Sequence, residues 1–218
     1  MIEEKISILK KKIIDFCLLA EKMIEESILG LLNKNSESLK KVIEEYEKKA
    51  NDFEIEIDEL CIETIAKYEP KAKNLRTILM ILKINNDLER IGDHAVNISE
   101  SALFLIERPQ VKPLIDIPRM AEKTIEMMRD SVDSFINEDT IKAKKVCEED
   151  DIIDDLKEQI IRELITYMSS DTSTIERSLH LLRIAQNIER IADLSTNISE
   201  DVIFMVEGKV IKHHFEEK

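Results

Sequence analysis

Two stretches of the chain carry the same acidic pattern. Asn86 to Glu100 reads NDLERIGDHAVNISE, and Gln186 to Glu200 reads QNIERIADLSTNISE. In each, a glutamate is followed one helical turn later by an aspartate: Glu89 with Asp93, and Glu189 with Asp193. An asparagine and a glutamate continue the row (Asn97 and Glu100; Asn197 and Glu200). At ~100° per residue these four side chains fall within ~80° of one another, so on a helix they form a single stripe. Like charges one turn apart repel by a few tenths of a kcal/mol. The same spacing gathers several carboxylate and amide oxygens on one face, which suits a hard cation such as Mg²⁺, Ca²⁺, Mn²⁺ or iron.

The segments before each stripe supply partner oxygens. Glu47 and Asn51 have the one-turn spacing, and Glu54 and Asp58 continue it. In the second half Asp150 and Asp154 have it, inside CEEDDIIDDLKE. Asp151 and Asp155 share that spacing, which leaves the register there open by one residue. An acidic stripe opposite an apolar face is ordinarily a solvated face. Its duplication, its repeated Arg-Ile and Asn-Ile-Ser flanks, and the partner acids on the preceding segment favour ligands. Arg90 is expected to pair with Asp93. His94 has Leu194 as its counterpart, so a duplicated ligand role is not expected of it; His180, His213 and His214 read as core-edge and tail residues.

Long helices must carry these stripes. The chain has 218 residues, with 43% hydrophobic and 36% charged side chains but only three glycines and four prolines. Few breakers among many Leu, Ile, Glu and Lys predict helices, not strands. Apolar residues recur at helical spacing almost throughout. In the stripe segments Ile84, Leu88, Ile91, Ala95 and Ile98, and again Ile188, Ile191 and Ile198, lie opposite the acids and form the predicted core face.

The breaks fall at NKNSES, with Ser36 as the expected N-cap, and at Pro70, which ends the second helix. The third helix is predicted from about Asn74 to about Glu107. RPQVKPLIDIPRM holds three of the four prolines. Asn137 to Thr140 and SSDTST break the second half in the same way, with Ser173 and Glu176 in a capping-box pattern. LNKNSESLKKVIEE also resembles INEDTIKAKKVCEE. The prediction is an all-α chain of six long helices made by internal duplication. It forms two tandem, similar three-helix bundles over 1–110 and 116–218, joined by a proline-rich linker over 108–118.

Composition excludes several functions. The net charge of −14, from 46 acids against 32 bases, disfavours nucleic acid and anionic lipid as partners. Cys17, Cys61 and Cys147 are scattered and odd in number, so free thiols are expected rather than a disulfide framework or zinc site. No apolar run reaches the ~20 residues of a membrane span, and MIEEKISILKKK lacks a signal-peptide apolar region. A cytoplasmic protein is expected. There is no Gly-rich phosphate loop, H-E-x-x-H, Glu-x-x-His at the stripes, Cys-His pair or Ser-His-Asp arrangement, so no enzyme is expected.

LERIGDHAVNISE and IERIADLSTNISE, one per three-helix unit, resemble the signature of the PhoU family of phosphate-uptake regulators. The resemblance extends to IDELCIETIAKYEP and IIRELITYMSSDTSTI, and so to nearly the whole chain. It implies E(D)-x-x-x-D motifs that bind clusters of metal ions, with iron or zinc foremost. The matching positions are Glu89 with Asp93, Glu189 with Asp193, Glu47 with Asn51, and Asp150 with Asp154. Asn51 departs from the carboxylate of the motif, which implies weaker binding in the first half. The resemblance further implies a negative regulator of phosphate uptake and phosphate-starvation signalling. Such a protein is an adaptor between a phosphate ABC transporter (its ATPase and permease) and a sensor histidine kinase at the inner membrane face. A homodimer is the expected state. The competing readings are a multinuclear metal-dependent phosphatase or oxidase, and a purely structural helical interaction protein.

Overall fold

The computed structural model describes residues 2–207. Its described residues are all-α, as the helical periodicity and scarcity of breakers predict. Helix α1 spans Ile2–Leu32 and α2 covers 36–68. α2 is not uniform: Ser36–Lys41 and Glu47–Tyr68 are α-helical and flank a π-helical turn, Val42–Tyr46. α3 is Lys73–Ile106, α4 Asp116–Asn137, α5 Thr140–Ser170 and α6 Ile175–Glu207. His213 and His214 lie outside the described residues.

The same turn closes the first hairpin of each half. Lys34 and Glu138 take left-handed backbone conformations at the helix ends, with φ of 53° and 55°. An Asn or Asp then caps the next helix. Asn35 Oδ1 accepts from the Glu37 and Ser38 amides, and Asp139 Oδ1 accepts from those of Ile141 and Lys142. The first cap is thus Asn35 and not Ser36, which is already the first helical residue. Two chain amides reach Asn35 from its extended conformation, the ordinary geometry of an N-cap. Before α6 the Ser173–Glu176 box does not form either. Asp171 accepts from the Ser173 amide and hydroxyl, and a short 3₁₀ turn, Thr172–Thr174, leads into α6.

Each half packs its three helices on one another, and the halves then pack together. α1 lies against α2 and α3, and α6 lies against α4 and α5. Across the molecule α3 packs on α6 and α1 on α4. Lys83 meets Asp201 near one end of the α3–α6 contact and Phe104 stacks on His180 near the other, so these helices run antiparallel. One continuous apolar core results. Ile13, Phe16, Met23 and Ile24 of α1 are fully buried, as are Ile84, Leu88, Ile91, Ile188, Ile191 and Ile198 of the stripe-bearing helices. Each large side chain buried in this way contributes about 1.5–3 kcal/mol.

The Ile-Ser pair that ends the motif belongs to this core, while Asn97 and Asn197 stay exposed. Ile98 is buried and Ser99 is hydrogen-bonded to Ser27 of α1, with oxygens 2.7 Å apart. Ser27 also donates to a backbone carbonyl, so this pair ties α3 to α1 and does not serve the acids. The non-helical joint between α3 and α4 is fastened to the second half. Buried Lys112 pairs with Asp116 and Glu163, and Arg177 donates to the Pro109 carbonyl at 2.6 Å. The three thiols are free. Cys17 and Cys61 are buried, and burial pushes both to about 12; the half-buried Cys147 is pushed to about 11. Such thiols are inert at neutral pH.

Candidate metal centres

The π turn decides which residues of α2 and α5 correspond. Above it, Leu39 and Val42 occupy the buried positions of Ala143 and Val146. Below it, Ala50, Ile57 and Cys61 occupy those of Ile153, Ile160 and Leu164. Val42 to Ala50 is one residue longer than Val146 to Ile153, and the wider π turn absorbs the extra residue. Glu47, Asn51 and Glu54 therefore stand where Asp150, Asp154 and Lys157 stand. This correspondence sets Asp150 and Asp154, not Asp151 and Asp155, level with Glu47 and Asn51.

In the second half these acids meet. Burial, and then the neighbouring charges of Asp193, Asp154 and Glu189, raise the Asp150 carboxyl to about 6. Asp193 is raised by burial and Glu189, against the opposing Arg190. Lys157 closes the group: its Nζ lies 2.7 Å from Asp154 Oδ1 and 2.9 Å from Glu189 Oε1. Burial alone would lower the Lys157 pKa, yet those two hydrogen bonds carry it up to about 12. An open cavity of about 410 Å³ adjoins this group, lined by His94, Lys157, Asn187, Glu189 and Arg190 among others.

In the first half Glu89 faces Asp93 on its own helix and Glu54 on α2. Burial raises its pKa first, then these two like charges, against the opposing Arg90. Glu54 is thus the α2 carboxylate level with Glu89. By the register of the second half, Glu47 and Asn51 lie level with Asp93. Asn85, one turn before Glu89, is fully buried. Its Nδ2 donates to the Glu54 carbonyl and to Asp58 Oδ1, both at 2.9 Å, while its Oδ1 has no hydrogen-bond partner.

Several side chains depart from expectation. Arg90 pairs with Asp87 at 3.5 Å, not with Asp93. Asp87 lies on the side of the helix that faces α6, where Lys83 and Asp201 also sit, while Asp93 turns away to solvent. Arg190 reaches Glu189 at 3.8 Å. His94 bonds to Asn187 of the other half. His180 stacks on Phe104 with ring centroids 3.8 Å apart. Lys157 and Asn85 were not singled out by spacing. The signal for Lys157 was present in the sequence, but only to a reader who had placed the extra residue of α2.

The donor set is all oxygen: carboxylates with one amide, the chemistry of a hard cation. It fits a metal in kind, and the buried, unpartnered Asn85 oxygen beside the first group is an acceptor that such an environment leaves wanting. Among the described residues, no three acidic, His or Cys side chains stand close enough together to hold an ion without adjustment. In the second half Lys157 engages two of the carboxylates. No helix among the described residues is long and apolar enough to cross a membrane.

Comparison with known proteins places these two groups in context. The model of the PhoU domain matches twice, over residues 13–102 and 117–202. A phosphate-specific transport system accessory protein PhoU homolog of Aquifex aeolicus is 42% identical over 214 residues, covering 96% of this chain and 95% of that protein. The phosphate-specific transport system accessory protein PhoU of Escherichia coli K12 is 36% identical over 195 residues, or 89% of this chain and 80% of its own length. The crystal structure of PhoU from Pseudomonas aeruginosa superposes with a TM-score of 0.91 at 29% identity, over 96% of this chain and all of that one.

Proposed function

The chain belongs to the PhoU family, and from that premise we propose that it restrains phosphate uptake and phosphate-starvation signalling as a non-enzymatic adaptor. Its relatives are named accessory proteins of the phosphate-specific transport system. The observation that carries the proposal is the double domain match, which falls on both halves of a duplicated fold. The adaptor would act on the cytoplasmic side, between the transporter's ATPase and permease and a sensor histidine kinase. Long helices with exposed apolar residues, such as Leu18 and Leu29 on α1 or Ile55 and Ile62 on α2, are suited to docking. A homodimer is part of this proposal.

The acidic groups are proposed as metal sites. Glu89 and Asp93, with Glu47, Asn51 and Glu54, would hold ions in the first half. Glu189 and Asp193, with Asp150 and Asp154, would do so in the second. Iron and zinc are the leading candidates, with Mg, Mn and Ca as further hard or borderline ions. A bound ion supplies positive charge to an otherwise repulsive surface, and so a place where an anion of the phosphate class is tolerated on a chain of net charge −14. The chain's own residues set the site: the buried Ile face orients the stripe outward, and Ser27 with Ser99 fixes α3 on α1.

The test is affinity capture of the tagged protein from phosphate-replete and phosphate-starved cells. Recovery of the phosphate transporter ATPase or the kinase, changing with phosphate supply, is the expected result. Absence of both under both conditions would contradict the adaptor reading.

A further inference from the structure

The two acidic groups have the same backbone setting but opposite chemistry at one position. Glu54 faces Glu89 in the first half. Lys157, its counterpart below the π turn, faces Glu189 at 2.9 Å in the second. One turn earlier on the stripe helix, the first half has Asn85 and the second has Ala185, both fully buried. Asn85 carries an acceptor oxygen without a partner, and Ala185 has no polar atom to satisfy.

These differences act in one direction. In the first half no cation sits between the acids, since Arg90 pairs outside the group with Asp87, and a buried oxygen is left over. In the second, an ammonium already sits between two of the carboxylates, about one-fifth exposed and hydrogen-bonded to both. An ammonium that donates to two carboxylates does part of what a metal would do there. To coordinate Asp154 and Glu189 together, an incoming ion must expel that ammonium and then withstand its repulsion.

We propose that Lys157 is the resident cation of the second site, so that divalent metal loads the first half in preference, despite the carboxylate lost there at Asn51, and enters the second only by displacing this lysine. The inference rests on the metal-binding reading above. It makes the duplicated sites unequal: one dependent on metal for its charge balance, the other balanced without it.

The experiment is calorimetric titration of metal-free protein with Zn²⁺ and, separately, with Mn²⁺. The parent for comparison is the full chain with Glu89→Ala and Asp93→Ala, which leaves the second site to be read alone. Adding Lys157→Gln is expected to tighten binding by about tenfold or more, the scale of removing a like charge a few ångströms from an ion near a surface. Adding Lys157→Arg, which keeps the charge, is expected to leave the parent's affinity. Metal-free Lys157→Gln is expected to melt below its parent and to regain more on metal addition, since its acids have lost their neutralising partner. Equal affinity of the Lys157 and Gln proteins, or equal tightening by Arg, would overturn the inference while leaving the metal reading intact if the unmutated chain binds. Failure of the unmutated chain to bind either ion would overturn both.

Discussion

His94 Nδ1 on α3 and Asn187 Oδ1 on α6 lie 2.9 Å apart, joining the two halves of the molecule by a hydrogen bond. The Asn187 amide nitrogen already donates to the Arg183 carbonyl at 2.7 Å, so Oδ1 is the acceptor and His94 donates from Nδ1. The duplication does not repeat this contact: Leu194 stands in the place of His94, and Asp87 in that of Asn187. His94 is therefore a link between the halves. Replacing it by Leu should cost about 0.5–1.5 kcal/mol in urea unfolding, the net value of one hydrogen bond. Asn187→Ala should cost a similar amount, and the pair should cost less than the sum of the two. Metal content should not change.

The glycines give opposite predictions. A Cβ on Gly30 would lie 2.6 Å from Leu39 Cδ2 and 2.7 Å from its Cγ, and Leu39 is fully buried. Gly30→Ala should destabilise the protein by about 1–3 kcal/mol through overpacking. A Cβ on Gly92 would meet Ala50 Cβ and Met23 Cε at 3.5 Å, ordinary contact distance. The second half already has Ala192 there. Gly92→Ala should be neutral or stabilising by up to about 1 kcal/mol, from helix propensity. Denaturant melts of the two variants check both signs.

His180 gives a pH prediction. Burial, and then Arg183, hold its pKa below the ordinary 6.5, against the opposing Glu176. A histidine with a depressed folded pKa stabilises the protein above its unfolded pKa. That stability is lost as pH falls below about 6.5 and through the lower folded value. His180→Phe keeps an aromatic ring against Phe104 and removes the titration. Between pH 7.5 and 5.5 its melting temperature should fall less than that of the unmutated protein. An equal fall in both would show that His180 contributes nothing to acid sensitivity.

Acid should also strip any bound metal. Protons compete with the ion for carboxylates, so apparent affinity must decline as pH drops through the carboxylate range. Metal analysis after dialysis at stepwise lower pH is expected to show progressive loss, complete near pH 3. Full retention at that pH would rule out carboxylate ligands.

The sequence carried the larger features because they repeat at helical period. Ile84, Leu88, Ile91 and Ile98 define the core face, and their copies Ile188, Ile191 and Ile198 define it again. What it hid is local. The π turn at Val42–Tyr46 is one inserted residue in a continuous helix, marked by no glycine or proline, yet it sets the pairing of every later residue of α2. Asn35 and Asp171 win their caps from the neighbouring serines through backbone geometry that composition does not display. Arg90 can reach an acid one turn to either side, and only the packing of α3 on α6 selects Asp87. Lys157 stands in an acid-rich run, and only that register makes it the counterpart of Glu54.

The most direct test of the account is the metal content of the purified chain beside a variant with Glu89, Asp93, Glu189 and Asp193 all changed to Ala. Both would be reconstituted with iron or zinc, dialysed, and measured by elemental analysis at matched helicity. The account predicts bound metal in the unmutated chain and its loss in the variant, whose four changed residues are stripe positions outside the buried core. Equal metal in the two proteins, or none in either, would contradict it.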